Sequence, residues 1–145
     1  MHARGFTLVE ILIVVVILAI LAIVAVPHFA AAGEESRQAA AQTTLQRLRR
    51  TIEVFKAEHD STPPQVAGMW TLLTGQSDGT EAAVANPVGT TFGPYLQTAP
   101  ANPWNNLTGV STANVDSSAG WYYSATTTAY TIQMRNVDGT INASY

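Results

Sequence analysis

From Ile11 to Val26 the chain runs through sixteen consecutive residues without a polar side chain. A helix built from such a run is apolar on every side, and a small domain has too little core to surround it, whereas a bilayer does so naturally. Taken from Leu8 to Phe29, the stretch covers about 22 residues, close to the roughly 20 that a bilayer core demands. Arg4 precedes it and Glu34 and Glu35 follow it, which by the positive-inside rule places the N-terminus in the cytoplasm and the bulk of the chain outside.

A secretory signal peptide is the competing reading, with Ala30-Ala31-Ala32 as its cleavage site. The apolar run is longer than a usual signal core, however, and Glu10 stands at its start, where a carboxylate opposes insertion. Near the far end, Pro27 removes a backbone donor and crowds the preceding turn, so a kink or local melting is expected without the helix having to end.

Helix formers continue from Gly33 onward. Ala41, Leu45, Leu48, Ile52, Phe55 and His59 alternate steps of four and three, the period of one helix face, so Glu34 to His59 reads as an amphipathic helix whose stripe covers a core. Asp60-Ser61-Thr62-Pro63-Pro64 stops it. If the two stretches are continuous, the helix is about 80 Å long at about 1.5 Å per residue.

At 145 residues there is room for one modest domain beside this segment. The net charge of −3 points away from nucleic acid. Arg47, Arg49, Arg50 and Lys56 form a small basic group, but Glu53 and Glu58 dilute it, which suits a solvated helix face better than a phosphate-binding one. The absence of cysteine excludes disulfides, thiolate metal sites and thiol nucleophiles.

The remainder is turn-rich and then β-rich. Met69 to Leu73 suits one short helical turn against the core, and Ser77 to Thr91 a surface loop. Trp121 to Ala125 and Ala129 to Met134 read as antiparallel strands joined by a short hairpin at Thr126-Thr127-Thr128. After a turn at Asp138-Gly139, Thr140-Ile141 is expected to add a third strand. Three strands alone bury too little, so the sheet must lie on the stripe of the helix.

Gly5 followed by Phe6-Thr7-Leu8-Val9-Glu10-Ile11, and an apolar run with Pro27, resembles the class III signal of type IV pilins and of the pseudopilins of type II secretion systems. The resemblance is specific over residues 4–30. It implies cleavage by a prepilin peptidase after Gly5, N-methylation of Phe6, and an assembly role for Glu10. Gly93-Pro94-Tyr95-Leu96 and Asn102-Pro103-Trp104 resemble the segment before the sheet in major pseudopilins, where Asp-Pro-Trp is typical and Asn102 replaces the Asp. Together with the missing cysteines, this favours the pseudopilin branch. The expected fold is α+β and pilin-like, a long N-terminal α-helix with a membrane half and an amphipathic half packed on a small antiparallel β-sheet. Its expected parts are a leader at 1–5, a transmembrane and filament-core helix at 6–32, an amphipathic helix at 33–60, and a loop and sheet region at 61–145 that forms one domain with 33–60.

Major pseudopilins also commonly bind calcium in their C-terminal loops, and Asp116, Ser118 and Asp138 are the local donors that could do so here. Calcium takes six to eight oxygens, no loop has the dense spacing of an EF-hand, and both aspartates also suit ordinary turns. His2, His28 and His59 share no metal-ligand spacing, and no nucleophile elbow, phosphate loop or paired acid is present. Trp104, Trp121, Tyr122, Tyr123 and Tyr130 suit core packing better than a sugar-binding patch.

The expected function is therefore that of a non-enzymatic structural subunit of a helical pseudopilus in a type II protein secretion system. Its expected partners are further copies of itself, other pseudopilins, the inner-membrane assembly platform, the prepilin peptidase and the lipid bilayer. The expected location is the inner membrane, with a single pass and the C-terminal domain periplasmic. A type IV pilus subunit for adhesion, motility or DNA uptake, and a secreted or anchored binding protein, are the alternatives.

Overall fold

A computed structural model describes residues 5–79 and 91–143. The leader residues before Gly5 and most of the loop expected over Ser77 to Thr91 lie outside the described residues. Contacts divide the chain into two units, Met1–Arg37 and Gln38–Tyr145.

In the first unit the dominant feature is the start of helix α1, Leu8–Glu58. Its segment Leu8–Val26 is 19 residues long, enough to cross a bilayer, and none of it is buried within the chain. The helix continues through Pro27.

In the second unit α1 supplies the core stripe that the sequence predicts: Ala41, Leu45, Leu48, Ile52, Phe55 and His59 are all buried. Asp60 and Ser61, both with left-handed backbone angles, end the helix, and the Ser61 amide donates to the Lys56 carbonyl at 2.9 Å. Short helix α2, Met69–Thr74, buries Met69, Leu72 and Leu73 against the same core.

The sheet has three strands in the order β1-β2-β3: Val110–Ser111, Trp121–Ala125 and Tyr130–Met134. The hairpin pairs as expected, antiparallel from Trp121 opposite Met134 to Ala125 opposite Tyr130. The third strand does not. Val110–Ser111 lies parallel to β2, which makes the sheet mixed and not antiparallel. Thr140 and Ile141 make single bridges to Val115 and Arg135 instead of a strand. The reason lies in the turns. Gly120 and Trp121 both donate their amides to Gly109 O, at 2.9 and 3.0 Å, which draws β1 onto the edge of β2. The tight turn at Asp138-Gly139 carries the chain across β3 after too few residues to build a ladder.

The aromatic residues serve packing. Trp121 and Tyr123 are fully buried and Trp104 and Tyr130 pack against the same cluster. The indole of Trp121 donates to Pro100 O at 3.0 Å and the Tyr123 hydroxyl to Pro64 O at 2.7 Å, so their polar atoms enter the core satisfied.

Candidate functional site

Two places carry the residues singled out from the sequence. At the first, Thr7 precedes the first turn of α1 and Glu10 sits within it. The Thr7 amide and hydroxyl both donate to Glu10 Oε2, at 2.8 and 2.7 Å, and Thr7 Oγ1 accepts the Glu10 amide at 3.2 Å. This is a reciprocal capping box, which satisfies donors that a helix start leaves open and sets a carboxylate at the positive end of the helix dipole. The sequence reading passed over this cap, although the Thr-x-x-Glu spacing is its signal, and it gives Glu10 a second role beside the one implied by resemblance.

Gly5 lies just before the cap. A Cβ built there meets nothing within 4 Å. The fold of the described residues therefore makes no demand for glycine at this position, and any such demand comes from outside it. Phe6 is 80% exposed.

The second place is the loop cluster at the end of the sheet. Asp116 Oδ1 accepts the Ser118 amide at 2.9 Å and the Ser118 hydroxyl at 2.6 Å. Asp138 Oδ1 accepts the amide and hydroxyl of Thr140 at the same two distances. Each aspartate thus closes its own turn. The hydroxyl of Ser118, then that of Ser111, and the Ser118 amide hold the Asp116 carboxyl at about 2, and the Thr140 hydroxyl and amide hold that of Asp138 below the usual range. The two turns meet, because the Asp116 amide donates to Gly139 O at 3.0 Å. Gly139 has φ of 83°, and a Cβ there would lie 2.5 Å from the Asp116 carbonyl carbon, so only glycine admits this approach.

Beneath the turns lies Arg135, fully buried. Its Nη1 donates to Gly139 O at 2.7 Å and to Asn114 O at 3.4 Å, and its Nη2 to Ser111 O at 3.3 Å and to Ala113 O. The sequence reading passed over it. One signal was available: Arg135 is the only lysine or arginine after residue 60. Asn102, also buried, donates from Nδ2 to Gly120 O and Arg135 O, both at 2.7 Å, and accepts the Trp104 amide at Oδ1. An amide can donate both bonds, which an ionised carboxylate cannot, and this is a physical reason for Asn in place of Asp.

Among the described residues no three His, Cys, Asp or Glu side chains group as metal ligands. Buried His59 has both ring nitrogens engaged, Nδ1 with Phe55 O and Nε2 with the Ser77 hydroxyl, each at 2.8 Å.

Comparison with known proteins gives two family matches. Residues 1–26 match the prokaryotic N-terminal methylation motif, and residues 28–114 match type II secretion system protein G. The type II secretion system core protein G of Escherichia coli is 30% identical over 103 residues, covering 71% of this chain and 68% of the relative. That of Vibrio cholerae is 31% identical over 102 residues, covering 70% and 66%. No solved structure gives a significant match.

Proposed function

The chain belongs to the type II secretion system protein G family, and from that membership we propose that it is a structural subunit of a secretion pseudopilus, assembled from the inner membrane through α1. The observation that carries this reading is the uncovered 19-residue apolar segment Leu8–Val26, which begins just after Gly5 and Phe6 with the Thr7–Glu10 cap at its start. A helix exposed on all sides needs lipid first and neighbouring helices afterwards, and a filament core provides the second.

In this reading a prepilin peptidase cuts after Gly5, where the missing side chain leaves the backbone accessible, and Phe6 becomes an N-methylated terminus. The N-terminus faces the cytoplasm and the sheet domain the periplasm. Glu10 then has a charged partner in the Phe6 amine, on its own helix or on a neighbour, which offsets an insertion cost of up to about 2.5–3.5 kcal/mol for a carboxylate deep in the bilayer. Pro27 has no amide to offer Ile23 O, which makes it the bending point of the helix. Other pseudopilins and the assembly platform complete the partners. The role in this reading is mechanical, that of a structural subunit.

Deleting the gene in its native host and following exported proteins tests the reading. Retention of secreted proteins in the periplasm, relieved by the intact gene, is expected. Normal export combined with loss of a surface fibre or of motility would refute it.

A further inference from the structure

The resemblance to major pseudopilins implies calcium in the C-terminal loops, and the oxygens that could hold it here are identifiable. Those that converge are the carbonyls of Ser111, Ala113, Asn114 and Gly139, and all four accept from the guanidinium of Arg135. Calcium sits about 2.3–2.6 Å from each of its six to eight oxygens. An ion among these carbonyls would stand against a fixed positive charge, with no water able to screen the two, since Arg135 is fully buried. Asp116 and Asp138 each close their own turn through Oδ1, so each has at most its other carboxylate oxygen to offer, far short of the six to eight that calcium takes. The residues present do not fit the metal.

We propose that Arg135 is the internal cation of these loops, gathering with its planar fork the carbonyls that a divalent ion would otherwise gather. A guanidinium suits the task. It is always charged, offers donors in fixed directions, and is more weakly hydrated than an ammonium, so its burial is less costly when carbonyl dipoles surround it. The Tyr122 ring, 5.8 Å from Cζ, adds its face to the same cation, and the charge also draws on the nearby Asp116 carboxylate. The arrangement bears on the topology as well. The loop between β1 and β2 must double back within residues 112–120 to bring two strands parallel, and Arg135 holds both the start of that loop and the Gly139 turn that leans on its middle at Asp116.

Three measurements on the full chain in detergent micelles test the proposal. Thermal unfolding of the wild type with chelator and with millimolar calcium chloride is expected to superimpose, and equilibrium dialysis with calcium is expected to find no stoichiometric ion. Arg135→Lys, which keeps the charge but not the fork, is expected to lower Tm by roughly 5–10 °C in either buffer and to speed exchange of the Asp116 amide roughly tenfold, with helix amides near Leu48 unaffected. A wild-type Tm that falls on chelation, one bound calcium per chain, or an Arg135→Lys variant that melts and exchanges like wild type would each overturn it. Arg135→Met is the harsher variant, and should it fail to fold, the wild-type and Arg135→Lys measurements still decide.

Discussion

Thr7 and Glu10 hold each other at the start of α1, the threonine donating from both its amide and its hydroxyl to one carboxylate oxygen. The carboxylate expected to serve assembly is thus also the second half of a helix cap, and the two duties can be separated by substitution.

Glutamine at N3 closes a capping box as glutamate does but carries no charge. Glu10→Gln is therefore expected to insert, be processed and start its helix normally, yet to assemble poorly. Thr7→Val removes the hydroxyl half of the cap, at about 0.5–2 kcal/mol, and keeps the charge, so its filament yield is expected to exceed that of Glu10→Gln. Filament yield and N-terminal mass spectrometry check both. Equal yields from Glu10→Gln and wild type would leave the carboxylate as a cap alone.

The loop aspartates predict sensitivity to acid. Asp116 titrates at about 2 in the fold against an ordinary value of 3.8, and Asp138 is lowered too. A depressed folded value means that the unfolded chain binds the proton more readily. The stabilisation is therefore complete above the ordinary value and is lost as pH falls toward 2. Unfolding followed by circular dichroism between pH 5 and 2 is expected to steepen in that window, and Asp116→Asn to flatten it.

Asn102 predicts the opposite sign. In Asn102→Asp a buried carboxylate would face the carbonyls of Gly120 and Arg135, losing two donated bonds and raising its own pKa. Stability is expected to drop by about 2–4 kcal/mol at neutral pH and to recover in part as pH falls, because the protonated acid can donate again. A melting series across pH checks it, and a variant as stable as wild type at neutral pH would refute it.

At high pH the tyrosines take over. Burial, then the Glu53 carboxylate beside it, pushes the Tyr130 phenol up to about 12, and burial with the bond to Glu58 raises Tyr95 as well. Raised folded values favour the neutral ring, so their contribution is present below the ordinary value of 10 and is lost as pH climbs toward 12. Tyr130→Phe, which forfeits the bond to Arg49 O, is expected to cost about 0.5–1.5 kcal/mol and to reduce the alkaline loss in urea titrations.

Much of this was readable in the residues because it rests on periodicity. The stripe from Ala41 to His59 and the alternation in the hairpin are local patterns that burial enforces. What escaped rests on contacts far apart in sequence. No local pattern announces that Val110–Ser111 will lie parallel to β2, since that pairing depends on Gly109 O accepting two amides from residues 120 and 121. Nor does it announce that Arg135 will turn inward, because burial of a lone cation is decided by the carbonyls that the fold brings around it. The two aspartates were singled out as loop residues, but the hydroxyls that each accepts, two residues further on, were not.

The bare flank of α1 makes this subunit a traveller between two solvents. None of Leu8–Val26 is buried within the chain, and acyl chains and the helices of neighbours are about equally apolar. Leaving one for the other therefore yields little net gain from burial, and the direction of travel must be decided by whatever is not apolar in that segment. Between Phe6 and Pro27 the polar side chains are those of Thr7 and Glu10 alone. The oxygens of these two side chains, at one tip of a long greasy cylinder, are thus where lipid and a helical neighbour differ most for this chain.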